Sequence, residues 1–405
     1  MPSLRLKTPT ATVGTAVRGA RLSHLHLFSI GWVYYLLIPV LAGRLGLFEN
    51  WDSFSLMRRF CSPHDPWWPA LTLYVALMPV AFFVGSLAAG HVPATRPLKT
   101  PLHGSSQLLV PLYALALLLT GYAARGNLFA GYSEDLDLTA VGPVSTLEMC
   151  LLFQYLAARA VKSPASRALG LLLLICSVLL IGMGGRLYVL SALVAIYIDW
   201  WKFRAASAHV RRRSLFAVIA APLVFGVVGM LRLGVFDPAE LGFYIFAEPM
   251  FTSISAFTLM DSHAWALLDA PRDFYSAFIN LIPAAIWPGK TEYVITLMDT
   301  SLNFEAPFGA LSIVTSTIGN FGYLGGPLFV VFVGFVMERV RRSTGSASGR
   351  VLYCYLCSLL PFMFFRDPFP VQIKVALLGF ALVWVNRAIG LMLSKLPRES
   401  QVTRS

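Results

Sequence analysis

Short clusters of lysine and arginine cut the chain into apolar runs, most of them close to the roughly 20 residues that a helix needs to cross a bilayer core. The runs fall at about 28–47, 71–90, 107–124, 142–158, 168–184, 187–201, 215–231, 312–337, 351–365 and 371–394. Such a pattern predicts an all-α polytopic membrane protein of about ten transmembrane helices. Charged residues make up only 13% of the chain and hydrophobic ones 57%, against roughly 25% charge in ordinary soluble domains. A soluble fold is therefore excluded.

The net charge of +12 raises nucleic acid as a partner, but its distribution follows membrane topology instead. With the N-terminus cytoplasmic, the loops on that side carry Arg96, Lys99, Arg159, Lys162, Arg167, Lys202, Arg204 and Arg211–Arg213. They also carry Arg339, Arg341, Arg342, Arg350 and the basic tail. The other side receives Glu49, Asp52, Asp65, Glu134, Asp135, Asp137 and nearly every acid of residues 232–311. Only Asp199, Glu338 and Glu399 break the rule. Positive loops mark the cytoplasmic side, so both termini are expected there. No nucleic-acid motif accompanies the basic residues. The expected organisation is a cytoplasmic tail (1–27), a transmembrane bundle (28–231), an outer segment (232–311), C-terminal helices (312–394) and a tail (395–405).

The outer segment is the unusual part. It mixes arginine, lysine, carboxylates, Trp287 and four prolines (238, 249, 271 and 283) with apolar residues. A solvated loop needs less apolar surface, and a spanning helix tolerates fewer breakers and charges. A partly embedded segment fits, with 241–260 and 274–287 as re-entrant or interfacial helices. Glu248–Pro249 and Pro283 are the expected interruptions. Trp67–Trp68 and Trp200–Trp201 read as interfacial belts.

Ten cations lie outside the cytoplasmic clusters: Arg44, Arg58, Arg59, Arg125, Arg186, Arg232, Arg272, Lys290, Arg366 and Lys374. An arginine at membrane depth costs roughly 2.5–3.5 kcal/mol on insertion scales. Arg186, Arg232, Arg272 and Arg366 sit at or near apolar ends, and together they suit a polyanionic ligand, because guanidinium forks match phosphate bidentately. Taken singly, each also fits snorkelling or pairing with an acid such as Asp367. Gly182, Gly184 and Gly185 before Arg186 fit either close backbone approach to phosphate or tight helix packing. Glu248, Glu292, Glu305 and His263 are candidates for a general base. Asp135 and Asp137 have metal-binding spacing but lie in a sequence that reads as a solvated acidic loop. Cys354 and Cys357 have CxxC spacing without histidine partners, so no metal or redox centre is expected.

Four stretches in order resemble the Wzy-type polysaccharide polymerases of bacteria: GMGGRLYVL, NLIPAAIWPGK, STIGNFGYLGG and RDPF. The resemblance covers roughly residues 180–390. It departs from the family where Ala284 replaces the arginine after the Ile-Pro pair, and where Thr291 replaces the proline after Lys290. It implies a GT-C-type glycosyltransferase of the inner membrane, with an active site facing the periplasm. Such an enzyme moves a growing glycan from a polyprenyl-pyrophosphate-linked oligosaccharide donor to a lipid-linked acceptor, and a chain-length-regulator protein is an implied partner. Arg186, Arg232, Arg272 and Arg366, with Lys290 in support, are expected on the pyrophosphate, and Glu248 or His263 as the base. Arginines neutralise a pyrophosphate leaving group without metal, so no cofactor is expected. An O-antigen ligase and a lipid-linked oligosaccharide flippase are the alternatives.

Overall fold

The computed structural model describes residues 22–46, 65–92, 105–128, 138–203, 227, 230, 241–262, 266–282, 286–290, 292–294 and 311–395. Every regular element among them is helical. In chain order these are α1 (His24–Arg44), α2 (Trp68–His91), α3 (Ser105–Ala123), α4 (Leu138–Ala160), α5 (Ala165–Gly182) and α6 (Arg186–Phe203). There follow α7 (Leu241–Ser262), α8 (Arg272–Ile279), α9 (Ile313–Arg342), α10 (Ala347–Leu359), the single turn α11 (Met363–Arg366) and α12 (Phe369–Lys395).

Six of the described segments are long and apolar enough to cross a membrane: α1, α2, α5, most of α4, α9 with its following turn, and most of α12. Leu118 and Leu119 of α3 and Leu171, Leu174 and Val178 of α5 are exposed, a surface suited to lipid rather than water. The other expected spans differ from that description. The apolar part of α3 is shorter, at Leu108–Ala123. Helix α6 carries Arg186, Asp199 and Lys202 within its 18 residues. The run 351–365 is split between α10 and α11. The run 215–231 lies outside the described residues apart from Val227 and Met230. At 13 residues, or about 20 Å, α10 is too short to span by itself. Every residue from Val351 to Leu359 is buried, and α4, α6, α9 and α12 surround it.

The ends of α6, α9 and α10 near His24 gather Lys202, Arg339, Arg341, Arg342 and Arg350. Two carboxylates organise them. Glu338 accepts from Arg341 Nε (2.5 Å) and Arg342 Nε (3.1 Å) and lies 3.8 Å from His24. Asp199 accepts from Arg350 Nε at 3.0 Å and lies 3.7 Å from Arg159 Nε. These are two of the three acids that broke the charge alternation, and each serves as the shared counterion of several cations. Trp67 and Trp68 are not an interfacial belt. Both are buried, with ring centroids 5.5 and 5.2 Å from Phe257 of α7, because they fill the gap where α2 begins.

Helix α9 is broken. Gly322 has φ 75° and ψ −178°, a region that is essentially glycine-only. The break folds residues 313–321 back on the following arm, so that a Cβ on Gly326 would lie 3.1 Å from Thr317 Cβ. It also frees backbone groups from the helix. Tyr323 N and Leu324 N donate to Ala266 O (3.1 Å) and Leu267 O (2.9 Å), and Asp269 N donates to Phe321 O (3.1 Å). Irregular backbone is tolerated in a membrane bundle when such pairing satisfies it. Asn320 is wholly buried, and its Oδ1 accepts from Phe274 N at 3.0 Å, capping the start of α8 from another element. Phe274, Phe321, Phe329 and Phe369 pack ring to ring beside it. The Asn-Phe-Gly stretch thus docks α8 and residues 266–269 onto the bundle.

Gly322→Ala is expected to destabilise the protein by about 1–3 kcal/mol, read as a lower Tm in detergent. Gly345, which has open space around its α-carbon, should accept alanine without that loss. Equal melting of both variants and the parent would refute this account of the break.

Candidate functional site

Arg186 owes its position to the glycines before it. Gly184 takes φ 84° just past the end of α5. Gly185 N donates to Leu180 O (2.7 Å) and Gly184 N to Ile181 O (3.2 Å). This is the Schellman arrangement, which closes a helix and reverses the chain. The amides of Gly184 and Gly185 are consumed in capping α5 and are not open to a phosphate, so the glycines turn the chain rather than bind the ligand. Arg186 follows immediately as the first residue of α6.

A second local constraint joins α1 to α7. Pro39 lacks the N–H that would bond the Tyr35 carbonyl one turn earlier, and Pro249 lacks the one for Ile245. Each freed carbonyl is taken by a hydroxyl of the opposite helix. Ser253 Oγ shares its one proton between Pro249 O (2.7 Å) and, more weakly, Tyr35 O (3.4 Å), and Tyr34 Oη donates to Ile245 O. Residues Val33–Leu37 widen into a π turn, of the kind that often marks functional positions. Tyr34 and the buried Tyr35 both come within electrostatic reach of Glu248 on α7. Helix α7 runs unbroken through Glu248–Pro249, which corrects the expected interruption: the carbonyl that Pro249 strands is satisfied from α1, so nothing forces a break.

Glu248, one residue before Pro249, meets Arg366. Arg366 Nε donates to Glu248 Oε1 at 2.8 Å, and Nη1 donates to Asp367 Oδ1 at 2.9 Å. The Arg366 and Glu248 side chains remain 38% and 34% exposed while Asp367 is 6%, so the pair opens onto a recess and Asp367 closes its wall. Burial opposes the Arg366 charge, but the carboxylates of Glu248 and Asp367 outweigh it and hold the guanidinium above its ordinary pKa. Burial lifts the Asp367 carboxyl above the usual range, with Arg366 pulling the other way. Gln372 Nε2 donates to the Asp367 carbonyl, fixing the turn between α11 and α12. Arg186 and Glu248 both act electrostatically on the Tyr34 hydroxyl, and Arg366 and Asp367 both act on Tyr188. Arg186, through Tyr34, is therefore an electrostatic neighbour of the recess onto which Glu248 and Arg366 open.

Compared with protein-family models, curated proteins and solved structures, the chain returned no match.

The remaining expected residues divide. Arg232, His263, Glu305, Asp135 and Asp137 lie outside the described residues. Arg272 begins α8, and its side chain is likewise outside them. Glu292 is exposed. Lys290 is buried and its Nζ donates to Asn280 O (3.2 Å) and Ile282 O (2.8 Å), with no group of the Arg186–Arg366 recess among its partners. Tyr34, Tyr35 and Asp367 belong to the recess and escaped the sequence reading as functional groups. The signal that finds them is a tyrosine pair four and five residues before a proline, facing a second proline preceded by glutamate.

Removing the Tyr34 hydroxyl leaves a buried carbonyl unpaired. Tyr34→Phe is expected to cost about 1–3 kcal/mol, read from thermal or denaturant unfolding. In a Pro249→Ala background, where the alanine supplies an N–H that can bond Ile245 O, the same change should cost close to nothing. Equal costs in the two backgrounds would show that the proline exchange is not what Tyr34 serves.

Proposed function

We propose that the chain is a GT-C-type glycosyltransferase of the bacterial inner membrane with about ten spans, which polymerises polyprenyl-pyrophosphate-linked oligosaccharide repeat units. In this reading both termini are cytoplasmic, the Arg186–Arg366 recess faces the periplasm, and a chain-length regulator is a partner. The observation that carries it is the pairing of Arg366 with Glu248 beside Tyr34, a hydroxyl that also feels the charge of Arg186. These arginines belong to the GMGGRLYVL and RDPF stretches through which the sequence resembles Wzy-type polymerases, and Glu248 comes from the segment expected to hold the base.

The chemistry follows from the charges. The acceptor hydroxyl oxygen attacks the anomeric carbon of the donor. The bond from that carbon to the pyrophosphate oxygen breaks, and the pyrophosphate leaves with the electron pair. Arg186, which pairs with no carboxylate among the described residues, neutralises that developing charge. Arg366 begins paired to Glu248 and Asp367. A pyrophosphate that draws its guanidinium away leaves Glu248 without its counterion, and a carboxylate that loses a neighbouring cation becomes a stronger base. Glu248 then takes the acceptor's hydroxyl proton. Donor binding itself thus switches on the base.

Purified protein given polyprenyl-pyrophosphate-linked repeat units should build a glycan ladder. Arg186→Ala and Arg366→Ala should each slow it by about 100-fold or more. Arg366→Lys should recover only part, because an ammonium cannot fork onto phosphate as a guanidinium does. Folded Arg186→Ala and Arg366→Ala variants with unchanged ladders would end this reading. A product on lipid A alone would move it to the ligase class.

A further inference from the structure

Lys290 and Lys374 stand together, away from the arginine recess. The turn Trp287–Lys290 closes with Lys290 N donating to Trp287 O (3.2 Å), and the Trp287 ring lies 5.2 Å from that of Tyr293. Lys290 Nζ then caps the carbonyls that follow α8, those of Asn280 and Ile282. Asn280 Nδ2 donates in turn to Pro370 O (3.4 Å), which ties this end of α8 to α12. Lys374 is one helical turn beyond Pro370, on the same face of α12. It lies close enough to Lys290 for the two ammonium groups to repel one another, and its other electrostatic neighbour is Cys150 of α4.

This arrangement differs from that of Arg366. Among the described residues neither lysine forms an ion pair, and Lys374 makes no hydrogen bond. Burial lowers the Lys290 ammonium's pKa. Of its three donors, two are used. Like charges held together in a medium of low dielectric raise the free energy unless an anion lies between them. The lysines share no electrostatic partner with Arg366 or Asp367. Beside them, Tyr275 and Phe278 of α8 and the following Leu281 are exposed, while Ser276 and Ala277 are buried. Such a helix presents an apolar face to lipid at the membrane boundary.

We propose that Lys290 and Lys374 form a second phosphate-binding subsite, which holds the diphosphate of a second isoprenoid-linked molecule with its tail along Tyr275, Phe278 and Leu281. The assignment rests on the reading above, that the chain handles isoprenoid diphosphates, and it sorts the substrates by chemistry. A leaving diphosphate gains charge in the transition state and suits forked guanidinium groups. The acceptor's diphosphate stays bonded throughout and needs only to be held, which compact ammonium charges do. The arginine recess takes the donor and the lysine pair takes the acceptor.

The test uses the full-length protein in phosphatidylcholine nanodiscs, with farnesyl diphosphate as probe and native mass spectrometry as readout. The parent should bind two molecules. Lys374→Met and, independently, Lys290→Met should weaken one of them about tenfold or more, while Lys374→Arg keeps both. Arg186→Ala should weaken the other molecule only. If both methionine variants retain two molecules at parental affinity, or if the parent takes a single molecule that depends on Arg186, the second subsite is wrong and the polymerase reading stands. No farnesyl diphosphate bound at all would overturn both. Displacement of the lysine-dependent molecule by equimolar phosphatidylglycerol or inorganic pyrophosphate would show a general anion site and overturn the proposal.

Discussion

Two prolines on facing helices each strand a carbonyl, and each carbonyl is satisfied from the opposite helix. In a bilayer an unpaired carbonyl costs several kcal/mol, so this exchange between α1 and α7 fixes more than local geometry. It sets how far the helices can slide, because Tyr34 Oη must reach Ile245 O while Ser253 Oγ reaches Tyr35 O. Glu248 precedes Pro249, so its depth is set by the same lock. The ion pair with Arg366 then joins α7 to the turn between α10 and α12. Remove the exchange, and α7 has no reason to hold a carboxylate at that level.

The recess that results is nearly neutral by its described groups: Arg186 and Arg366 against Glu248 and Asp367. Neutrality suits a site that must exist empty in a membrane and still receive a dianion. Were both arginines unpaired, the empty site would carry the cost of two isolated charges. With Arg366 held by carboxylates, that cost falls, and under the proposed function binding is an exchange of one anion for another. Asp367 is the more enclosed of the two acids. It is suited to keep the guanidinium in place while Glu248, which is more open, is released.

Much of this was legible in the sequence, and the boundary has a physical cause. Apolar runs gave the helices, since the length of a span is written in one stretch. The cations outside the basic clusters pointed to Arg186 and Arg366, because an arginine in an apolar setting needs a local reason. The role of Gly184 was half legible: glycines at the junction of two apolar runs stood out, but the Schellman bonds of the Gly184 and Gly185 amides depend on where α5 stops. The partnership of Tyr34 with Ile245 and of Ser253 with Tyr35 was not legible, because it joins residues more than 200 positions apart and no local rule relates them. The same holds for Asn320, whose side chain reads as a helix interior residue and in fact caps α8. Run 351–365 was half legible for a related reason. Its apolarity matches a span, yet the run is split between α10 and α11, and protein packs around α10.

Charge near a helix end is a poor guide to function unless depth is added. At the end holding His24, Glu338 and Asp199 are each shared by several cations, and Arg341 is still 43% exposed. An excess of cations there costs little, because water or lipid headgroups screen it. An excess among enclosed groups is screened less. Among the described cations away from that end, Arg366 has two carboxylates, whereas Arg186, Lys290 and Lys374 are in no ion pair. Burial of Lys290 lowers its ammonium's pKa, the direction expected of a cation without a counterion. Under the proposed function, a diphosphate supplies the anions that Arg186, Lys290 and Lys374 lack, which is why uncharged side chains would not serve in their place.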